Sequence, residues 1–173
     1  MKVLIRGACL LALLSFVLMS CQTEKNAGKY PVTVGDIEFD EKLDDPAFKK
    51  CNPEKLMSFQ YYQGSKGFDY KGEKSAILEK LEKEKISSEN KVNGYITVRF
   101  LVNCEGKTGL FRVQQMNAEL KEAVLDKELE NRLLRFAKSL DGWIPKEIKG
   151  FKVGYYQYLT YKIENGKVSE VLP

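Results

Sequence analysis

The sequence predicts an α+β fold: a small antiparallel sheet of three to four strands with helices on one face. Three observations carry this. Apolar and more polar residues alternate from Tyr95 to Val102, Leu125, Leu129, Leu133, Phe136, Ala137 and Leu140 recur at helical spacing, and the elements follow the order helix, strand, strand, helix, strand. A helix-covered antiparallel sheet is the arrangement that buries one sheet face with short connections. With 173 residues, 43% hydrophobic and 30% charged, the chain suits one domain with a real core.

Residues 1–20 carry Lys2 and Arg6, then an apolar run from Ala8 to Met19 with no acid. That is the order of a secretory signal, and the run is short for a membrane-spanning helix. Its end, Leu18-Met19-Ser20-Cys21, resembles a bacterial lipobox, with a small residue before the cysteine and Leu three positions before it. The resemblance implies lipidation at Cys21 after cleavage, hence a chain anchored to a membrane by its acyl groups. Gln22, not Asp, follows Cys21, which favours the outer membrane of a bacterial envelope and leaves the leaflet open. Without Lys2 and Arg6, 26 basic and 24 acidic residues leave a net charge of +2, too mild for nucleic acid or for a polybasic membrane patch.

Residues 21–36 read as a short polar tether, without the Pro-rich character of a periplasm-crossing spacer. Residues 37–72 hold Ile37, Phe39, Phe48, Phe59, Tyr61, Tyr62, Phe68 and Tyr70 without a period, and read as an irregular segment packed on the domain that occupies 73–173. From Glu73 to Lys85, Ile77, Leu78 and Leu81 form a narrow stripe beside i,i+4 charges, a surface helix with one buried edge. The strand at 95–102 turns at Asn103-Cys104-Glu105-Gly106 into a return strand at 110–116. The amphipathic helix is expected from about Glu119 to Leu140, stopped by Asp141-Gly142. A third strand is expected from Val153 to Ile163, then an Asn165-Gly166 turn and a short last strand.

The run Gly94-x-Ile96-x-Val98-x-Phe100-x-Val102 with Gly106, the helix after it, Trp143-x-Pro145 and Gly150-x-x-Val153 resemble the C-terminal domain of TonB and its relatives over roughly residues 74–164. The resemblance implies a periplasmic binding module that takes a partner peptide as an added edge strand, here at a strand of the 94–163 sheet. The lipobox in place of a membrane helix, and the missing spacer, point to a lipid-anchored binding or accessory protein with a protein or cell-wall partner. A TonB-like energy transducer is the alternative within the family.

Chemistry narrows the remaining choices. The absence of histidine removes imidazole-dependent triads and the common catalytic zinc sites. A histidine-free envelope enzyme acting on glycan or peptide through carboxylates stays as the alternative from another class. Asp44-Asp45 and Asp126 with Glu128 and Glu130 read as solvated charge, and no phosphate loop or metal cluster calls for a cofactor. In an oxidising compartment Cys51 and Cys104 favour a structural disulfide, closing a loop worth about 4 kcal/mol on the chain-entropy model. Trp143 reads as packing. Tyr95, Arg99, Tyr156 and Tyr158 fall on the sheet face opposite the apolar set. They form either a partner-binding surface or a core covered by 37–72, and the covered state is expected because such patches are rarely bare.

Overall fold

The computed structural model describes residues 35–51 and 68–172. The signal segment, Cys21, nearly all of the tether, and Phe59, Tyr61 and Tyr62 lie outside the described residues. The remaining elements are α1 (Glu73–Glu84), β1 (Gly94–Val102), β2 (Thr108–Asn117), α2 (Lys127–Ser139), β3 (Lys146–Ile148), β4 (Phe151–Val153), β5 (Tyr155–Glu164) and β6 (Lys167–Leu172). The fold is α+β. Four antiparallel strands lie in the order β2-β1-β5-β6, and β3 and β4 form a separate two-stranded ribbon.

Alternation sets the faces. Ile96, Val98, Phe100 and Val102 of β1 join Tyr155, Leu159, Tyr161 and Ile163 of β5 and Val171 of β6 on the side covered by both helices. There they meet Ile77 and Leu81 of α1, Leu129, Leu133, Phe136 and Ala137 of α2, and Trp143. Trp143 packs edge-on against both Tyr70 and Phe100, with centroids 5.0 and 5.1 Å away, so it is a core residue as expected. The Asn165-Gly166 turn has both residues left-handed, at φ 51° and 75°, the conformation that this pair favours in two-residue hairpins.

The second helix starts later than its periodicity suggests. Asn117 Oδ1 accepts the amides of Glu119 and Lys121, and Gln115 Oε1 accepts the Leu125 amide at 2.9 Å. Residues 118–125 are thereby drawn onto the end of β2, and the helix begins where Asp126 accepts the Leu129 amide at 2.9 Å. The third strand likewise begins at Tyr155, because Val153 pairs with Lys146 in the ribbon instead.

β2 contains a bulge. Arg99 pairs with Arg112 while Leu101 pairs with Gly109, so β2 holds one residue more than β1 across that step. Leu110 there takes φ 55°, rare for a residue with a side chain. The bulge puts Gly109 and Leu110 on the same face, away from the helices.

Candidate functional site

Two surfaces of the sheet are candidates: its outer edge and its second face. Of the strands between 94 and 163, β1 and β5 are interior and cannot accept a further strand. β2 is an edge, but its end is occupied, since Ala123 N donates to Gln115 O and Asn117 N to Lys121 O. Within 94–163 the edge strand is therefore β2, unbridged from Thr108 to Gln114 among the described residues, and the sheet's other edge is β6. Among the described residues its outer side is bridged at Lys167, by Ser87, and nowhere beyond.

Beside β6 runs a groove of about 510 Å3. Leu78, Leu81 and Ile86 form one wall, Val168 and Val171 the floor, and Glu82, Lys85, Lys167 and Glu170 the rim. Ile163 and Tyr161 pair with Val168 and Val171, which shows why both valines face the helices although three positions apart: Ser169 is an extra residue in a bulge. Leu78 is 39% exposed, so the groove presents apolar surface beside an open strand edge. That combination suits an extended peptide, with main-chain bonds for affinity and alternate side chains in the trough. The two acids and two lysines on the rim balance, which leaves apolar fit to select the occupant.

The second face is divided. Residues 35–48 lie over one half of it: Ile37 is buried with Leu101, Leu110 and Tyr156, and Phe48 packs on this cluster. The Ile37 amide donates to the Tyr156 hydroxyl at 2.8 Å, and burial pushes that phenol above its usual range. Gly109 is required here by close approach, since a Cβ would meet the Phe48 ring at 2.4 Å. Arg112 forms a two-pronged pair with Asp44, at 2.8 and 2.7 Å, and also donates to Glu38 O. The Arg112 hydrogen bond holds the Asp44 carboxyl below its usual value. Arg99 donates to Gly35 O and lies over the Tyr156 and Tyr158 rings, 4.3 and 5.4 Å from their centroids.

Sequence reasoning placed Tyr95, Arg99, Tyr156 and Tyr158 on one face, and they share it. Arg99 and Tyr156 are buried, at 2% and 0% exposure, so they do not form open surface. Tyr95 and Tyr158 are half-buried and lie with Thr97, Gln114, Met116 and Thr160 on the other half, beyond residues 35–48. The covering segment is the physical reason for the split. Residues 68–70, by contrast, leave that face: Phe68 and Tyr70 pack with the helices.

Cys51 and Cys104 are joined by a disulfide with their Cα atoms 5.8 Å apart, which fastens the covering segment to the β1–β2 turn. Asn103, unmarked by any motif, completes the fastening. Its Oδ1 accepts the amides of Glu105 and Lys107 while its Nδ2 donates to Lys49 O.

Three acids expected to be solvated are buried. Asp44 is 7% exposed because of Arg112. Asp126 is held at about 2 by the Leu129 amide, Ser88 and Asn90. Glu130 sits against Gln115 and Lys127. Asp45 and Glu128 are exposed as expected. Among the described residues, no cysteine or acid cluster is placed to hold a metal ion, and no helix is long and apolar enough to cross a membrane.

No family model, curated protein or solved structure matches the chain.

Proposed function

We propose that the chain is a cell-envelope lipoprotein, anchored through Cys21, that binds an envelope protein or cell-wall partner. Its module is TonB-C-like in element order, and it takes an extended segment of the partner along β6, with apolar side chains in the groove against α1. The observation that carries the reading is the open strand edge beside that groove. The Cys51–Cys104 bond fits an oxidising compartment, and the lipobox-like end of the leader supplies the anchor.

Crosslinking in the native envelope tests it. A photoreactive residue at exposed Ser169 is expected to capture a defined partner that the same probe at exposed Glu89 does not, and Val168→Asp is expected to abolish capture. Equal adducts from both probes contradict the edge as the site. Palmitate labelling is expected in the unaltered chain and lost in Cys21→Ala; no labelling of the unaltered chain overturns the anchor.

A further inference from the structure

We infer that the β3–β4 ribbon is a second, reversible membrane contact, in which exposed Phe151, set among lysines, enters the interface of a bilayer rich in anionic lipid headgroups. The surface is separate from the β6 edge. It rests on the anchor at Cys21 only for nearness to a bilayer, and three observations lead to it.

The ribbon carries an apolar face out of the body. Lys146 pairs with Val153 and Ile148 with Phe151, so Val153, Ile148 and Phe151 share one side. At the base Val153 is buried, whereas Phe151 beside the tip is 63% exposed and Ile148 half-buried. Lys149 and Gly150 close the turn at φ 50° and 83°, and among the described residues nothing lies within 4 Å of where a Gly150 Cβ would stand. A large aromatic side chain at the end of a projecting hairpin is convex surface. It has no walls to clamp a peptide, and it suits a soft partner into which a ring can sink.

The charge around it is positive. The β1–β2 turn and residues 49–51 meet beside the ribbon. Asn103 donates to Lys49 O, a Gly106 Cβ would stand 2.6 Å from Trp143 O and 3.5 Å from the Pro145 ring, and Lys49 and Lys152 both act on the Glu105 carboxyl. Lys107 pairs with Glu105 at 2.8 Å and Lys146 with Asp69 at 2.7 Å. That leaves Lys49, Lys50, Lys149 and Lys152, all exposed, against Glu147 alone among the described acids of these segments. The small net charge of the mature chain counts these residues without their places, and so conceals the local excess. Each lysine near an anionic surface strengthens attraction about fivefold, and its stem lies along apolar surface while the ammonium stays among the headgroups.

The length of chain leading to the anchor permits the contact. Arg99 donates to Gly35 O, and from Arg99 to Val102, where β1 meets the turn, the strand runs about 10 Å. From Cys21 to Gly35 the chain spans at most about 50 Å. A lipid at Cys21 therefore holds the ribbon within reach of the same leaflet, where a weak contact gains from a high effective concentration.

The test uses the full lipidated chain carrying Phe151→Trp, with the unaltered chain and its buried Trp143 as background. In vesicles of phosphatidylcholine and phosphatidylglycerol with brominated acyl chains, the added emission is expected to fall by about half or more. In brominated phosphatidylcholine alone, or for the unaltered chain, the expected fall is less than about a tenth. Adding Lys149→Glu/Lys152→Glu to Phe151→Trp is expected to reduce quenching in the anionic vesicles at least tenfold. Absent quenching in the anionic vesicles, equal quenching in both kinds, or capture of polyglutamate in place of the vesicles overturns the inference. Flotation with the vesicles in about 1 M salt reports the anchor separately, since acyl attachment survives salt that screens the lysines. A chain that does not float counts against the anchor, and is tested by adding the same vesicles under the same criteria. Should the variant fail to fold, amide resonances of the unaltered chain decide. Anionic bicelles are expected to broaden Ile148 and Phe151 before Leu133 and Val171, and uniform broadening overturns the inference.

Discussion

The two faces of this sheet are closed by different means. Against the helices, eighteen buried residues among those described form one continuous apolar cluster with aromatic contacts at Phe100, Phe111, Phe136, Trp143 and Tyr161. Against the covering segment 35–48, the strap, four buried residues and Phe48 form a small cluster among the described residues, and the rest of the closure is an ion pair, hydrogen bonds to carbonyls and a disulfide. Dense packing holds only as a whole, since each side chain loses its contacts when a neighbour goes. Point attachments fail one at a time. The first face is therefore expected to open only with the global fold, and the second to lose its covering segment while the rest stands.

The largest effect expected is on the helix side. Phe100→Ala removes a ring stacked on Phe111 and edge-on to Trp143, and is expected to cost about 4 kcal/mol in denaturant unfolding. A cost below about 1 kcal/mol would show that this face is not the packed one.

Asp44→Ala comes next and carries the sharper contrast. Removing one partner of a buried ion pair in a rigid interior costs about 3–5 kcal/mol, because the other charge stays buried. Here Arg112 regains water when the strap lifts, so the cost is capped at the strap's docking free energy. The expected loss is about 2 kcal/mol or less, with the m-value of the main transition nearly unchanged. A loss in the full range for a buried pair would merge the two faces into one cooperative unit.

Gly109→Ala drives a methyl into the Phe48 ring. Since the ring belongs to the strap, the expected result is a displaced strap and a loss of about 1 kcal/mol, against typical overpacking costs of 1–3 kcal/mol in closed cores. Acidification separates the faces in the same direction. The Asp44 carboxyl lies below its ordinary 3.8, so its stabilisation is complete above that value and is lost as pH falls through the lowered one. Strap amides are expected to lose protection below about pH 4, while Trp143 fluorescence stays native until Asp126, held at about 2, is protonated. The smallest change is expected at Gln157, which is fully buried on the helix side with neither amide atom hydrogen-bonded among the described residues. Gln157→Met is expected to stabilise the chain by about 1 kcal/mol, read as a raised thermal midpoint.

The helix-side face was legible because its signals are local and periodic. Alternation at 94–102, the spacing of Leu129, Leu133 and Phe136, and the Asn-Gly turn each act within a few residues. The strap was not legible in the same way, since a segment without regular structure has no period. Its decisive pair, Asp44 with Arg112, joins residues 68 apart in sequence, so a carboxylate read as solvated was buried. Burial of Arg99 and Tyr156 was the expected state, from the rarity of bare aromatic patches, but which residues of 37–72 lie above them no spacing encodes. The start of α2 was hidden by side chains of Gln115 and Asn117 competing for backbone amides. That β6 is an edge beside a groove emerged only from strand order.

Native-state hydrogen exchange on the unaltered chain tests the division of the two faces most directly. The account predicts that the Ile37 and Asp40 amides, bonded to Tyr156 and Asp44, exchange through a local opening insensitive to low denaturant. Val98 and Leu159 should exchange only through global unfolding, at least a hundredfold more slowly. Equal protection, with the same denaturant dependence at all four amides, would contradict it.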